Sequence, residues 1–166
     1  MNRRRLAIYL NDHMAAATGA VELARRAANS NRGTPYGEAL AELRTEIAED
    51  RAALAAIMTQ LGVGIDRART TLAWGVEKLG RLKLNGRLTG YSPLSRLEEI
   101  EILELGVTGK LLLWQALRRA APASIPESEL QRLIERARSQ RDRFERQRLK
   151  AAGEALAEPA PSDADT

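Results

Sequence analysis

Apolar residues recur along the chain at intervals of three and four, the spacing of one helical face. Leu6, Leu10, Ala17, Val21, Ala24 and Ala28 mark a first helix over about residues 3–29, with His13 on the same stripe. "NSNRG" at 29–33 stops it, and Thr34-Pro35 offers the next cap and first helical position. Leu40, Leu43, Ile47, Leu54, Ile57, Met58 and Leu61 stripe a second helix over about 35–61, which "GVG" ends. Asp66 can cap a third, with Ala68, Leu72, Val76 and Leu79 inside it, running to about residue 84 before Asn85-Gly86. Asn-Gly is also a hairpin signal. A hairpin there would have no cleanly apolar face, so a helix ending near Leu84 accounts better for its leucines.

Ser92-Pro93 opens a fourth helix, about 92–120, and Ser95 with Glu98 forms a capping box that would start it three residues later. That helix is apolar nearly all round, as expected of a central element. "APASIP" breaks it, and a fifth, more polar helix follows over about 126–156. Leu130, Leu133, Ile134 and Ala137 let its first half pack. The second half, "RSQRDRFERQRLK", has only Phe144 and Leu149, so it is expected to project or to pair with another chain. The fold class is therefore all-α. An antiparallel up-down-up-down four-helix bundle is expected over residues 1–122, with an additional C-terminal helix at 123–156 and a disordered tail at 157–166.

Composition sharpens this. Of 166 residues 44% are hydrophobic but only 4% aromatic, which suits helices packed through Ala and Leu. Charged residues make up 29%, and no run reaches about eighteen apolar residues, so no membrane span is expected. The basic start "MNRRR" lacks a following apolar core of signal-peptide length. Cys is absent, which removes disulfides, thiolate metal sites and a Cys nucleophile, and fits a cytoplasmic protein. A net charge of +4 is modest and permits anionic partners without demanding them.

"LNDHMAAATGAVELARRAA" and "GRLKLNGRLTGYSPLSRLEEIEILELGVTGKLLLW" resemble segments of an uncharacterised bacterial family of hypothetical proteins, a resemblance covering about residues 6–118. It implies a ferritin-like helical bundle and no known activity. Di-iron members of the ferritin-like class carry two Glu-x-x-His pairs, whereas His13 is the single His here and has no Glu three residues before it.

Three constellations bear on chemistry. His13 and Asp50 interrupt apolar stripes and fall near one level, with Glu77 and Glu104 close to it. The set could hold a metal, or His13 and Asp50 could form a buried pair that fixes helix register. Glu98, Glu101 and Glu104 make a curved acidic strip that needs basic partners, with Arg69, Lys78 and Arg81 or Arg138 and Arg141 as candidates. Arg81, Lys83, Arg87, Tyr91, Ser92 and Arg96 surround a Gly-rich connection just before a helix N-terminus, which is either a plain connection whose Leu88 and Tyr91 plug the bundle end or a site for an anion or an acidic partner surface. The many Arg of the fifth helix alternate with acidic residues three or four apart, as on a solvated helix and unlike a nucleic-acid arm. No catalytic motif is present. The sequence supports a non-enzymatic helical bundle acting by partner binding or self-association, without a cofactor. The alternatives are a ferritin-like protein with a non-standard metal or small-anion site, and weak nucleic-acid association through the fifth helix.

Overall fold

Helix ends here are set by particular side chains. Asn2 accepts a hydrogen bond from the Arg5 backbone N–H and starts α1, Arg3–Ser30. The backbone N–H of Asn31 and its side-chain amide both close back onto Ala27 O. Thr34 caps the turn and not the next helix: its hydroxyl accepts from the Tyr36 N–H and donates to Asn31 O. So α2, Gly37–Gln60, begins two residues later than the pattern at Thr34-Pro35 predicts. Only glycine fits at its first position, because a Cβ on Gly37 would lie 2.7 Å from Asn31 O. Gly62, at φ 66, ends α2 in the left-handed conformation, while Val63 N–H bonds back to Met58 O. Ser92 caps α3, Pro93–Ala120, by accepting from the Ser95 N–H. Pro126 precedes α4, Glu127–Leu156, whose first turn holds Glu127 and Glu129 where the helix dipole favours acids.

This computed structural model describes residues 2–66, 91–120 and 124–157. The third predicted helix and the Asn85-Gly86 turn lie outside the described residues, as do Glu77, Arg81, Lys83 and Arg87. Among the described residues the fold is all-α, with four helices and no strand.

Among the described residues the main seams join α1 to α2 and α3, and α4 to α3 and α2. Across these seams residue numbers rise on one side as they fall on the other. Arg26 meets Glu99 and Asn31 meets Arg96 between α1 and α3. Arg118 meets Gln131, and Arg148 meets Glu104, between α3 and α4. Asp50 meets Arg136, and Glu46 meets Arg143, between α2 and α4. As a result α2 and α3 point the same way. The chain leaves α2 beside Asn11, whose side chain bonds Gly64 O and the Asp66 N–H, and re-enters at Tyr91, whose hydroxyl bonds Asn31. Those two anchors are twenty residues apart on α1, about 30 Å at the rise of a helix.

The core has two parts. One gathers Leu10, Met14, Leu54, Ile57, Trp114 and Leu133; the other gathers Leu23, Tyr36, Leu43, Ile100, Leu103 and Phe144. Both take residues from either side of position 122, so the core is continuous across the boundary the sequence suggests. The second half of α4 does not project. Gln140, Phe144 and Ala151 are buried along it, because a helix held between two neighbours needs only a narrow apolar face, and its arginines reach carboxylates on α2 and α3. Among the described residues no helix is long and apolar enough to cross a membrane.

Candidate functional site

The two halves of the core meet at a polar layer. Asp50 lies between Ile47 and Leu54 on the buried stripe of α2 and is 3% exposed. Lys110 of α3 donates to Asp50 Oδ2 and to Gln140 Oε1. Arg136 of α4 donates to Asp50 Oδ1 and, at 3.0 Å, to Glu49. Gln140, fully buried, donates to Asp50 at 2.9 Å and to Glu46 at 3.0 Å, and Arg143 closes onto Glu46. Burial pushes the Lys110 amine below its usual range, against the pull of Asp50. Burial alone would raise Glu46, but the bonds from Arg143 and Gln140 outweigh it and bring the carboxyl below its usual value. A carboxylate so deep in a helical core is tolerable because cations and an amide surround it.

Beside this layer, between α1 and α3, lies a cavity of about 320 Å³. Its α1 wall is His13, Ala16, Ala17, Gly19, Ala20 and Leu23; its α3 wall includes Ile102, Gly106, Gly109, Lys110 and Trp114; Asp50, Arg51 and Leu54 of α2 form the floor. The space exists because small residues face each other where larger ones would interdigitate. Arg51 Nε donates to the Thr18 hydroxyl at 3.0 Å, and no carboxylate among the described residues meets its guanidinium. The Trp114 side chain is 1% exposed, and its indole N–H has no acceptor among the described residues. His13 meets the ring of Tyr9 edge-on with centroids 4.7 Å apart. Burial lowers its pKa more than Asp12 raises it, so the imidazole is neutral near pH 7. Leu105, on the cavity wall, is 71% exposed, and Leu112, seven residues on, is 57% exposed.

A second polar cluster ties the helix ends. Glu99, buried, accepts from Arg26 Nε at 2.7 Å and from the Tyr91 hydroxyl at 3.0 Å, while Tyr91 accepts from Asn31. Burial raises the Glu99 carboxyl above its usual range despite the Arg26 charge, and raises the Tyr91 hydroxyl too. Arg96 donates to Asn31 and Glu154 and lies 4.4 Å from the Tyr36 ring centroid. Of the six residues expected at an anion site, then, Tyr91, Ser92 and Arg96 are described, and each bonds inward to a helix end. The other three lie outside the described residues.

The four candidate metal ligands do not converge among the described residues. His13 and Asp50 share the cavity wall, but no hydrogen bond joins them, and the bonds of Asp50 go to Lys110, Arg136 and Gln140 instead. Glu104 sits by Arg148, which also approaches Glu101 and binds Glu145. Among the described residues the acidic strip meets Arg148 on α4, and the charge of Arg141 also acts on Glu104; the other candidates Arg69, Lys78 and Arg81 lie outside the described residues. No group of three His, Cys, Asp or Glu able to hold a metal occurs among the described residues. The pattern of the sequence marks Asp50 but not Lys110, Gln140, Glu99 or Arg51. The signal for Lys110 and Gln140 was present, since each breaks an apolar face of its own helix.

Fold and site together define a four-helix, all-α protein, over the described residues, with an apolar side cavity next to a buried charge layer. No family model, curated protein or solved structure matches the chain.

Proposed function

We propose that the protein is a binding module and not a catalyst, and that its binding site is the cavity between α1 and α3. The observation that carries this is a space of about 320 Å³ lined mainly by Ala, Gly and Leu, with a few polar groups drawn from α1, α2 and α3. That combination of size, apolar lining and sparse polar anchors is typical of ligand pockets. The ionisable groups nearby support binding over catalysis: Asp50 and Lys110 are engaged with each other and with α4.

The ferritin-like architecture belongs to the same proposal. It is supported by four packed helices of which α2 and α3 run the same way. A cytoplasmic setting rests on the lack of Cys in the sequence. Self-association has Leu105 and Leu112 in its support, two side chains of one helix, so the cavity is the reading taken forward. The arginines Arg136, Arg143 and Arg148 of α4 are held by carboxylates, which gives nucleic-acid association no support.

Titration with the neutral dye N-phenyl-1-naphthylamine tests the proposal. Its fluorescence should rise with the wild type and not with Gly106→Leu, whose new side chain enters open space on the cavity wall. Equal responses from the two proteins would sink it.

A further inference from the structure

We propose that the cavity takes a medium-chain carboxylate, a linear amphiphile with its head at Arg51 and its chain along the Ala and Gly wall. The inference deepens the reading above and rests on it.

Charge selects the head group. Among the described residues, four ionisable side chains line the cavity: His13, Asp50, Arg51 and Lys110. His13 is neutral near pH 7. Asp50 is met by Lys110, Arg136 and Gln140, so a cationic ligand would find its carboxylate already neutralised. Lys110 is committed to Asp50 and Gln140. Arg51 differs: it is half-buried, and a hydroxyl is its partner among the described residues. A guanidinium against an apolar wall without an anion is costly, and its planar fork suits a carboxylate. Trp114 closes the same cavity, its indole N–H buried and without an acceptor among the described residues.

Shape selects the tail. The α1 wall runs from His13 to Leu23, ten residues, or about 15 Å at the rise of a helix. At about 30 Å³ for each water-sized group, the volume holds about ten non-hydrogen atoms. Octanoate has that size. Gly106, Gly109 and Ala17 leave the wall smooth, with open space where a Cβ on either glycine would stand.

Calorimetric titration of the full chain with sodium octanoate and with 1-octanol tests this. Octanoate should bind about tenfold or more tightly than octanol, a preference that high salt weakens. Arg51→Gln should abolish the preference and leave octanol unchanged, and Arg51→Lys should keep most of it. If Arg51→Gln fails to melt like the wild type, the Arg51→Lys comparison and the salt dependence decide alone. Equal binding of the two ligands by the wild type would overturn the anionic head while leaving the cavity as a binding site. Binding of neither ligand, with the naphthylamine response intact, would overturn the carboxylate alone. Silence from all three would remove both readings.

Discussion

Asp50 is one ion in a stripe of Ile and Leu, and its surroundings show what such a residue demands. Two cations and an amide from two other helices converge on a single carboxylate. Removing the carboxylate leaves Lys110 with the Gln140 amide alone and Arg136 with the half-exposed Glu49 alone, whereas removing one cation leaves Asp50 with the other. Asp50→Ala should therefore destabilise the fold by about 3–5 kcal/mol, the range for breaking a buried pair. Lys110→Met, which keeps the apolar stem, should cost less. Urea denaturation of the two variants checks the order, and a larger loss for Lys110→Met would contradict the account. At this scale the sequence was half legible. Asp50 and His13 are visible as interruptions of apolar stripes, but their partners are not. Long Lys, Arg and Gln side chains carry their polar ends several ångströms from their own positions on the helix. Periodicity therefore locates the backbone and not the charge.

Helices were the most legible feature, since periodicity and caps act locally. The edges of α1 and α3 fall within a residue or so of the pattern. The start of α2 moved because Thr34 spends its hydroxyl on the preceding turn. The second half of α4 was misread for a different reason. Its arginines look solvated, yet Arg143 and Arg148 lie over carboxylates of neighbouring helices, and Phe144 and Ala151 are enough to seal the seam. Truncation after Ser139 would remove both side chains together with Gln140. The shortened chain should lose cooperative thermal unfolding, followed by circular dichroism, while a chain ending at Ala157 should keep it. A cooperative transition in the shorter protein would show that the seam is dispensable.

For the whole molecule, buried ionisable groups set how stability responds to acid. His13 has a lowered pKa in the folded state, so the unfolded chain binds a proton first as pH falls below about 6.5. Its contribution is present above that pH and is lost as pH drops toward the folded value. Glu99 works the other way: its carboxyl is raised, so the folded state gains as pH falls through that raised value. His13→Gln should flatten the decline in Tm between pH 7 and 5.5, and Glu99→Gln should steepen it toward lower pH. Parallel Tm profiles for wild type and His13→Gln would refute the first part. The cavity was not legible at all from the sequence, because it arises from which small residues face one another across α1 and α3. That pairing depends on helix order in space.

The charge layer also divides unevenly between the two halves of the chain. Asp50 and Glu46 come from the α1–α2 pair, while Lys110, Arg136 and Arg143 come from the α3–α4 pair. Within this layer, each hairpin taken alone would present ions of one sign. The pairs thus carry opposite halves of a code that is readable only in one alignment. A slip of α4 by one turn along α2 would bring Phe144 to the level of the Asp50 carboxylate and take Arg136 away from it. Leucines and alanines tolerate such sliding, since one apolar contact resembles the next. The ions do not, so the layer acts as a vernier that selects a single setting from several equally greasy ones.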